Sequence, residues 1–196
     1  MIPMRGARTA LACLLLCAPV AGCRWLMEEP GSQTRSQATA PRAERRSLFA
    51  HPWVWTDDGG RMVQLSRWRG ETLVLTLAFT SCRETCPRTI QALRELDARF
   101  RRERRAAQFV VVTLDPARDT PERLREFRRT ESLPDSWILL VGSAPATRAL
   151  SDLLGVHVVD LDSHLMHDSA IVMFDGDGRA TRRFTGWNLD HETPLL

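Results

Sequence analysis

The spacing of hydrophobic positions changes period several times along the chain, and each change marks an element. Residues 71–80, ETLVLTLAFT, are almost continuously apolar and β-branched, the pattern of a strand buried on both faces. QFVVVTL at 108–114 and WILLVG at 137–142 repeat that pattern. Between the first two runs, Ile90, Leu93, Leu96 and Phe100 recur at helical spacing among charged residues. Pro87 stands just before them, where a first helical turn tolerates a residue without an N–H. The arginine-rich stretch 99–105 fits the solvated end of the same helix, where cations complement the helix dipole.

Thr120-Pro121-Glu122 supplies an N-cap, a proline at the first helical position and an acid in the first turn, and opens a second helix with Leu124 and Phe127 inward. APATRALSDLLG at 144–155 is a third helix, closed by Gly155. WVWTDDGGRMVQL at 53–65 reads as two short β pieces around Asp57-Asp58-Gly59-Gly60, a hairpin. SAIVMFDGDGRATRRF at 169–184 gives two more strands around an Asp-Gly-Asp-Gly turn. Strands alternating with helices and followed by a hairpin predict an α/β three-layer domain on a mixed sheet.

The ends of the chain change the picture. Arg5 and Arg8 precede the apolar run ALACLLLCAPVAG, which is short for a permanent membrane span and ends in small residues, as export signals do. The junction Val20-Ala21-Gly22-Cys23 resembles a lipobox, which would make residues 1–22 a lipoprotein signal peptide and Cys23 a lipidated N-terminus. Residues 23–46, rich in Pro, Gly, Ser, Thr, Gln and charge, read as a flexible membrane tether. Residues 47–196 then form one domain. The protein is expected on the periplasmic side of a bacterial membrane, lipid-anchored. Every basic side chain other than histidine is arginine, yet the formal charge of the 196 residues is only +3, so no nucleic-acid partner is expected.

Of the five cysteines, Cys13 and Cys17 would leave with the signal and Cys23 would be acylated. Cys82 and Cys86 remain, in FTSCRETCP at the carboxyl end of the first buried strand, the edge where open α/β sheets place their chemistry. Four positions apart on a helix, their Cα atoms would be about 6 Å apart, which a disulfide tolerates. The helix N-terminus would favour thiolate, the form that attacks disulfides and binds metals. Such a pair is a disulfide, a redox couple or a soft metal site suited to Cu(I), with zinc also open. Five histidines are available as a third donor. His164 and His167 stand just before the strand SAIVMF, on what reads as a loop returning to the cysteine edge; His51, His157 and His191 lie elsewhere.

FTSCRETCP, then VVTLDPARDTPERL at 111–124, then HDSAIVMFDGDG at 167–178 resemble, in order, the three signature regions of the Sco/SenC family. The resemblance implies a thioredoxin-like three-layer domain, with a central mixed sheet and an N-terminal β-hairpin extension. It also implies one copper ion per domain, as Cu(I) or Cu(II), bound by Cys82, Cys86 and His167. The family acts in cytochrome c oxidase assembly, so the implied partner is an oxidase subunit or another copper-receiving protein. Asp115 and Asp119 fall in the second region, where carboxylates could orient the ligands; turn and helix-start chemistry accounts for them equally well.

Two departures stand out. Arg83 follows the first cysteine where the family often has proline, and its charge favours thiolate at Cys82. The chain also stops about ten residues after Phe184, where the family usually continues into a last helix. The principal alternative is a thiol-disulfide oxidoreductase that reduces partner cysteines through Cys82 and Cys86 without stable copper. A Cys2His2 zinc site using both His164 and His167 is a third reading.

Overall fold

The computed structural model describes residues 47–82, 85–161, 164–186 and 189. The proposed signal, Cys23, the tether, Arg83 and His191 lie outside them. The first hairpin forms from β1 (Trp55–Asp57) and β2 (Met62–Val63), closed through Asp57, whose carboxylate accepts the Gly59 and Arg61 N–H groups at 2.9 and 2.8 Å. The chain continues through β3 (Leu73–Ala78), α1 (Thr85–Arg102), β4 (Gln108–Thr113), α2 (Pro121–Thr130), β5 (Ile138–Gly142) and α3 (Ala144–Leu154). It ends in β6 (Val158–Leu161), β7 (His164–His167), β8 (Ala170–Phe174) and β9 (Ala180–Thr185).

Seven strands form one mixed sheet in the order β2-β1-β5-β4-β3-β8-β9, and β6 and β7 pair with each other as a separate ribbon. β3 is parallel to β4 and antiparallel to β8, and all six of its residues are buried. A strand can be continuously apolar only if both its faces are covered. The register shows what covers them. Phe109 meets Phe100 of α1 edge-on at 5.9 Å and stacks on Trp137 at 5.7 Å, so α1 lies over the face that carries Val74, Thr76 and Phe109. Arg183, which pairs with Val172 on the opposite face, donates to the carbonyls of Leu154 and Gly155, so the end of α3 lies over that other face. Arg94 of α1 reaches the Glu131 carbonyl just past α2, which puts α2 on the α1 side. The expected three layers are present.

The helix signals act as read. Thr120 caps α2, Pro121 opens it, and Gly155 closes α3 in the left-handed conformation at φ 63°. Gly142 has a role that sequence does not reveal. It pairs with Trp55, which is completely buried, and a Cβ at Gly142 would lie 2.4 Å from the indole ring. Gly142→Ala is therefore expected to destabilise the fold by about 1–3 kcal/mol through overpacking. Denaturant unfolding checks this, and an unchanged midpoint would mean that Trp55 has room to move.

One expectation fails. Residues 164–167 are not a loop: they form β7, with His167 paired to Val158 and His164 to Leu161. Short β-prone segments, VVDL and HLMH, flank Asp162-Ser163, and closing them as a hairpin satisfies backbone groups that a loop would leave to solvent. Among the described residues, no helix is long and apolar enough to cross a membrane.

Candidate metal centre

β8 runs antiparallel to β3, so the start of β8 lies beside the end of β3. That topology brings His167, two residues before Ser169, to the edge where Cys82 and Cys86 follow β3. One ring nitrogen of His167 and the two cysteine sulfurs lie within 4.8 Å of one another. Their burial differs. Cys86 is 1 % exposed, whereas Cys82 and His167 are half-buried.

Cys82 is not on the helix, contrary to the spacing argument. α1 begins at Thr85, because Pro87 can sit only in the first turn, and Cys82 stands before it. From there Cys82 Sγ accepts the Cys86 backbone N–H at 3.2 Å, one of the orphan donors of the helix start. The Cys82 N–H donates to the Phe79 carbonyl at 3.2 Å, folding the ligand loop back on the strand end. The sulfur thus faces the positive end of a helix and touches its neighbour's turn, as a redox or metal-binding pair requires.

The Cys86 thiol is pushed far above its ordinary value. The hydrogen bond with the Cys82 sulfur is the largest cause and burial the next, with the charges of Cys82 and Asp119 adding; a Phe79 backbone contact works the other way. Without a cation Cys86 keeps its proton. A soft cation between the sulfurs would supply the missing countercharge and replace that proton.

The His167 ring is oriented by the neighbouring backbone. His167 Nδ1 lies 2.9 Å from the Asp168 carbonyl oxygen, which can only accept, so Nδ1 carries the hydrogen. Nε2 is buried with no hydrogen-bond partner. A protonated Nε2 would be a buried N–H without an acceptor, so the nitrogen presents its lone pair. Phe79 packs edge-on against the imidazole at 5.7 Å and limits ring rotation. Behind these groups, the Thr89 and Ser169 hydroxyls meet at 2.6 Å in the interior, tying the second turn of α1 to the entry of β8. Thr76 adds a bond from β3 to the Ala170 carbonyl at 2.8 Å. Neither link is visible in sequence, because both join residues 80 or more positions apart.

Asp115 and Asp119 are buried but outside the three-residue cluster. Asp115 pairs with Arg118 at 2.5 Å. Asp119 accepts bonds from Thr80 and Thr113 at the ends of β3 and β4. His164 opens β7, and its side chain lies outside the described residues. His157 pairs with Asp168 at 3.0 Å on the exposed surface, and His51 stacks on Trp53 near the first hairpin.

Comparison with known proteins agrees with this construction. Residues 41–193 match the SCO1/SenC family. The SCO1 protein homolog of Bacillus subtilis (strain 168) is 21% identical over 140 residues, covering 69% of this chain and 72% of that one. Among solved structures, copper-bound ScoI of Arabidopsis thaliana superposes with a TM-score of 0.64 at 20% identity, covering 71% of this chain and 88% of the other. A SCO1/SenC family lipoprotein of Bacillus anthracis str. Ames gives a TM-score of 0.63 at 23% identity, covering 68% and 82%. At these identities the superpositions establish a shared fold, the thioredoxin-like one.

Proposed function

The chain belongs to the SCO1/SenC family, and from that premise we propose that it is a copper metallochaperone acting in assembly of the copper site of cytochrome c oxidase. Copper is its cargo, held as one ion by Cys82, Cys86 and His167. The observation that carries the reading is the buried, unpartnered Nε2 of His167 in a cluster with two sulfurs. Two thiolates and an imidazole are a soft donor set that suits Cu(I) and also accepts Cu(II). The Arabidopsis thaliana relative has copper bound in its crystal structure. The recipient is an oxidase subunit or another copper-receiving protein, and half-exposed Cys82 is the ligand such a partner meets first.

The neighbouring sulfurs support a second reading. A pair at a helix N-terminus, one thiol half-exposed and the other buried, is also the arrangement of a thiol-disulfide reductase. The two are separated by the histidine, which a dithiol reductase does not need. The zinc reading needs a fourth ligand, for which it names His164, whose side chain lies outside the described residues. Loading the protein with Cu(I), Cu(II) and Zn(II) in turn and counting bound ions tests the proposal: one copper per chain supports it, and a preference for zinc or no stable ion opposes it.

Asp115 and Asp119 would support the ligands from behind. Cys23 would hold the protein to the membrane through its lipid, with residues 23–46 as the tether and 47–196 as the working domain. A relative described as a lipoprotein supports that reading. Cys23→Ser should move the protein from the membrane to the soluble fraction after export, because one thioether-linked lipid group and its acyl chains supply the anchor. Equal partition of the two forms would remove the anchor from the account.

A further inference from the structure

Asp119 is a buried carboxylate that forms no ion pair among the described residues. It is 2 % exposed. Its oxygens accept the Thr80 N–H at 3.1 Å, the Thr80 hydroxyl at 2.5 Å and the Thr113 hydroxyl. All three donors are neutral. Asp115, four residues earlier, is paired with the Arg118 guanidinium at 2.5 Å, and among the described residues Asp119 has no such ion pair. Hydrogen bonds satisfy its lone pairs and leave its field intact, in a setting where screening by water is weak. Thr80 is two residues before Cys82, so that field originates at the root of the ligand loop.

We propose that Asp119 sets the oxidation-state preference of copper at the Cys82–Cys86–His167 site, shifting it toward Cu(II). This rests on the copper reading above. Two thiolates and a neutral imidazole leave a site of net charge −1 with Cu(I) and of zero with Cu(II). A fixed negative charge nearby repels the first and not the second, so it raises the cost of Cu(I) selectively. The effect is one of charge and not of loop shape, and substitution can separate the two. An asparagine side chain can keep all three bonds: its oxygen in place of Oδ2 accepts from the Thr80 N–H and the Thr113 hydroxyl, and its amide in place of Oδ1 donates to the Thr80 hydroxyl, which then accepts.

The test uses the full chain in detergent and measures Cu(I) and Cu(II) dissociation constants by competition with chelators specific to each ion. In Asp119→Asn the ratio of Cu(I) to Cu(II) affinity should rise by about tenfold, equivalent to about 59 mV for one electron, with the metal-free melting temperature unchanged. Thr80→Val removes the hydroxyl bond and leaves the charge, and should keep the wild-type ratio. An unaltered ratio in Asp119→Asn, or the same rise in Thr80→Val, overturns the proposal. Failure of the underlying copper reading shows separately, in an unsubstituted chain that binds neither ion.

Discussion

Replacing His167 by alanine should weaken copper binding by about a hundredfold or more, on the order of several kcal/mol, while the Cys82–Cys86 disulfide still forms under mild oxidation. The reason lies in the donor count. Three ligand atoms meet within 4.8 Å, so the imidazole is one of three donors, and its loss leaves the two sulfurs with only solvent or His164 as a partial substitute. Nε2 has no structural task to lose, being buried without a partner, whereas Nδ1 is engaged by the Asp168 carbonyl. The substitution therefore removes a ligand, one ring contact with Phe79 and the surface Nδ1 bond to the Asp168 carbonyl, but no hydrogen bond of the core. His164→Ala should have much the smaller effect. Chelator competition measures the affinities, and alkylation with mass analysis follows the disulfide. Wild-type copper affinity in His167→Ala, with loss in His164→Ala, would mean that the wrong end of β7 has been chosen. If neither substitution matters and the dithiol reduces protein disulfides at a useful rate, the oxidoreductase reading replaces the chaperone.

Copper affinity should also rise with pH, by at least about tenfold per unit between roughly pH 6 and 8, with one factor of ten for each thiol proton that binding releases. The Cys86 thiol is raised by its bond to the Cys82 sulfur and by burial, so it is protonated throughout that window. Binding must release its proton to solvent, and each unit of pH makes that release about 1.4 kcal/mol easier. The same shift acts on the metal-free fold with the opposite sign. The folded value lies above the unfolded one of about 8.5, so the stability Cys86 contributes is complete below that pH and is lost as pH rises through the folded value. Affinity titrations across the window, with proton release followed by a weakly buffered dye, decide the matter. A flat profile would show that Cys86 is already a thiolate or is not a ligand.

The parts of the fold legible in sequence were those whose burial leaves a one-dimensional trace. β3, β4 and β5 read directly, because covering both faces of a strand demands an unbroken apolar run. The α2 start was equally plain, since the Thr120 cap and Pro121 act locally. β7 was missed because its four residues HLMH mix polar and apolar side chains and pair only with the short β6. Spacing from Cys86 alone would put Cys82 on a helix. Pro87 held the corrective signal: a proline confined to the first turn forbids a helix that starts as early as Cys82. Within the site, the two cysteines and His167 came from motif order, and the geometry brings them together. The brace at Asp119 was beyond sequence reasoning, because its partner Thr80 is 39 positions away and Asp-Thr-Pro reads as ordinary helix-start chemistry.

The proposed chaperone role requires one copper ion held by two sulfurs and one histidine nitrogen. X-ray absorption at the copper edge, on the Cu(I)-loaded protein and on its His167→Ala variant, tests it most directly. One copper per chain is expected, with two sulfur neighbours and one nitrogen neighbour in the wild type and loss of the imidazole scattering in the variant. A copper shell without sulfur, or a wild-type spectrum with no imidazole that His167→Ala leaves unchanged, would contradict it.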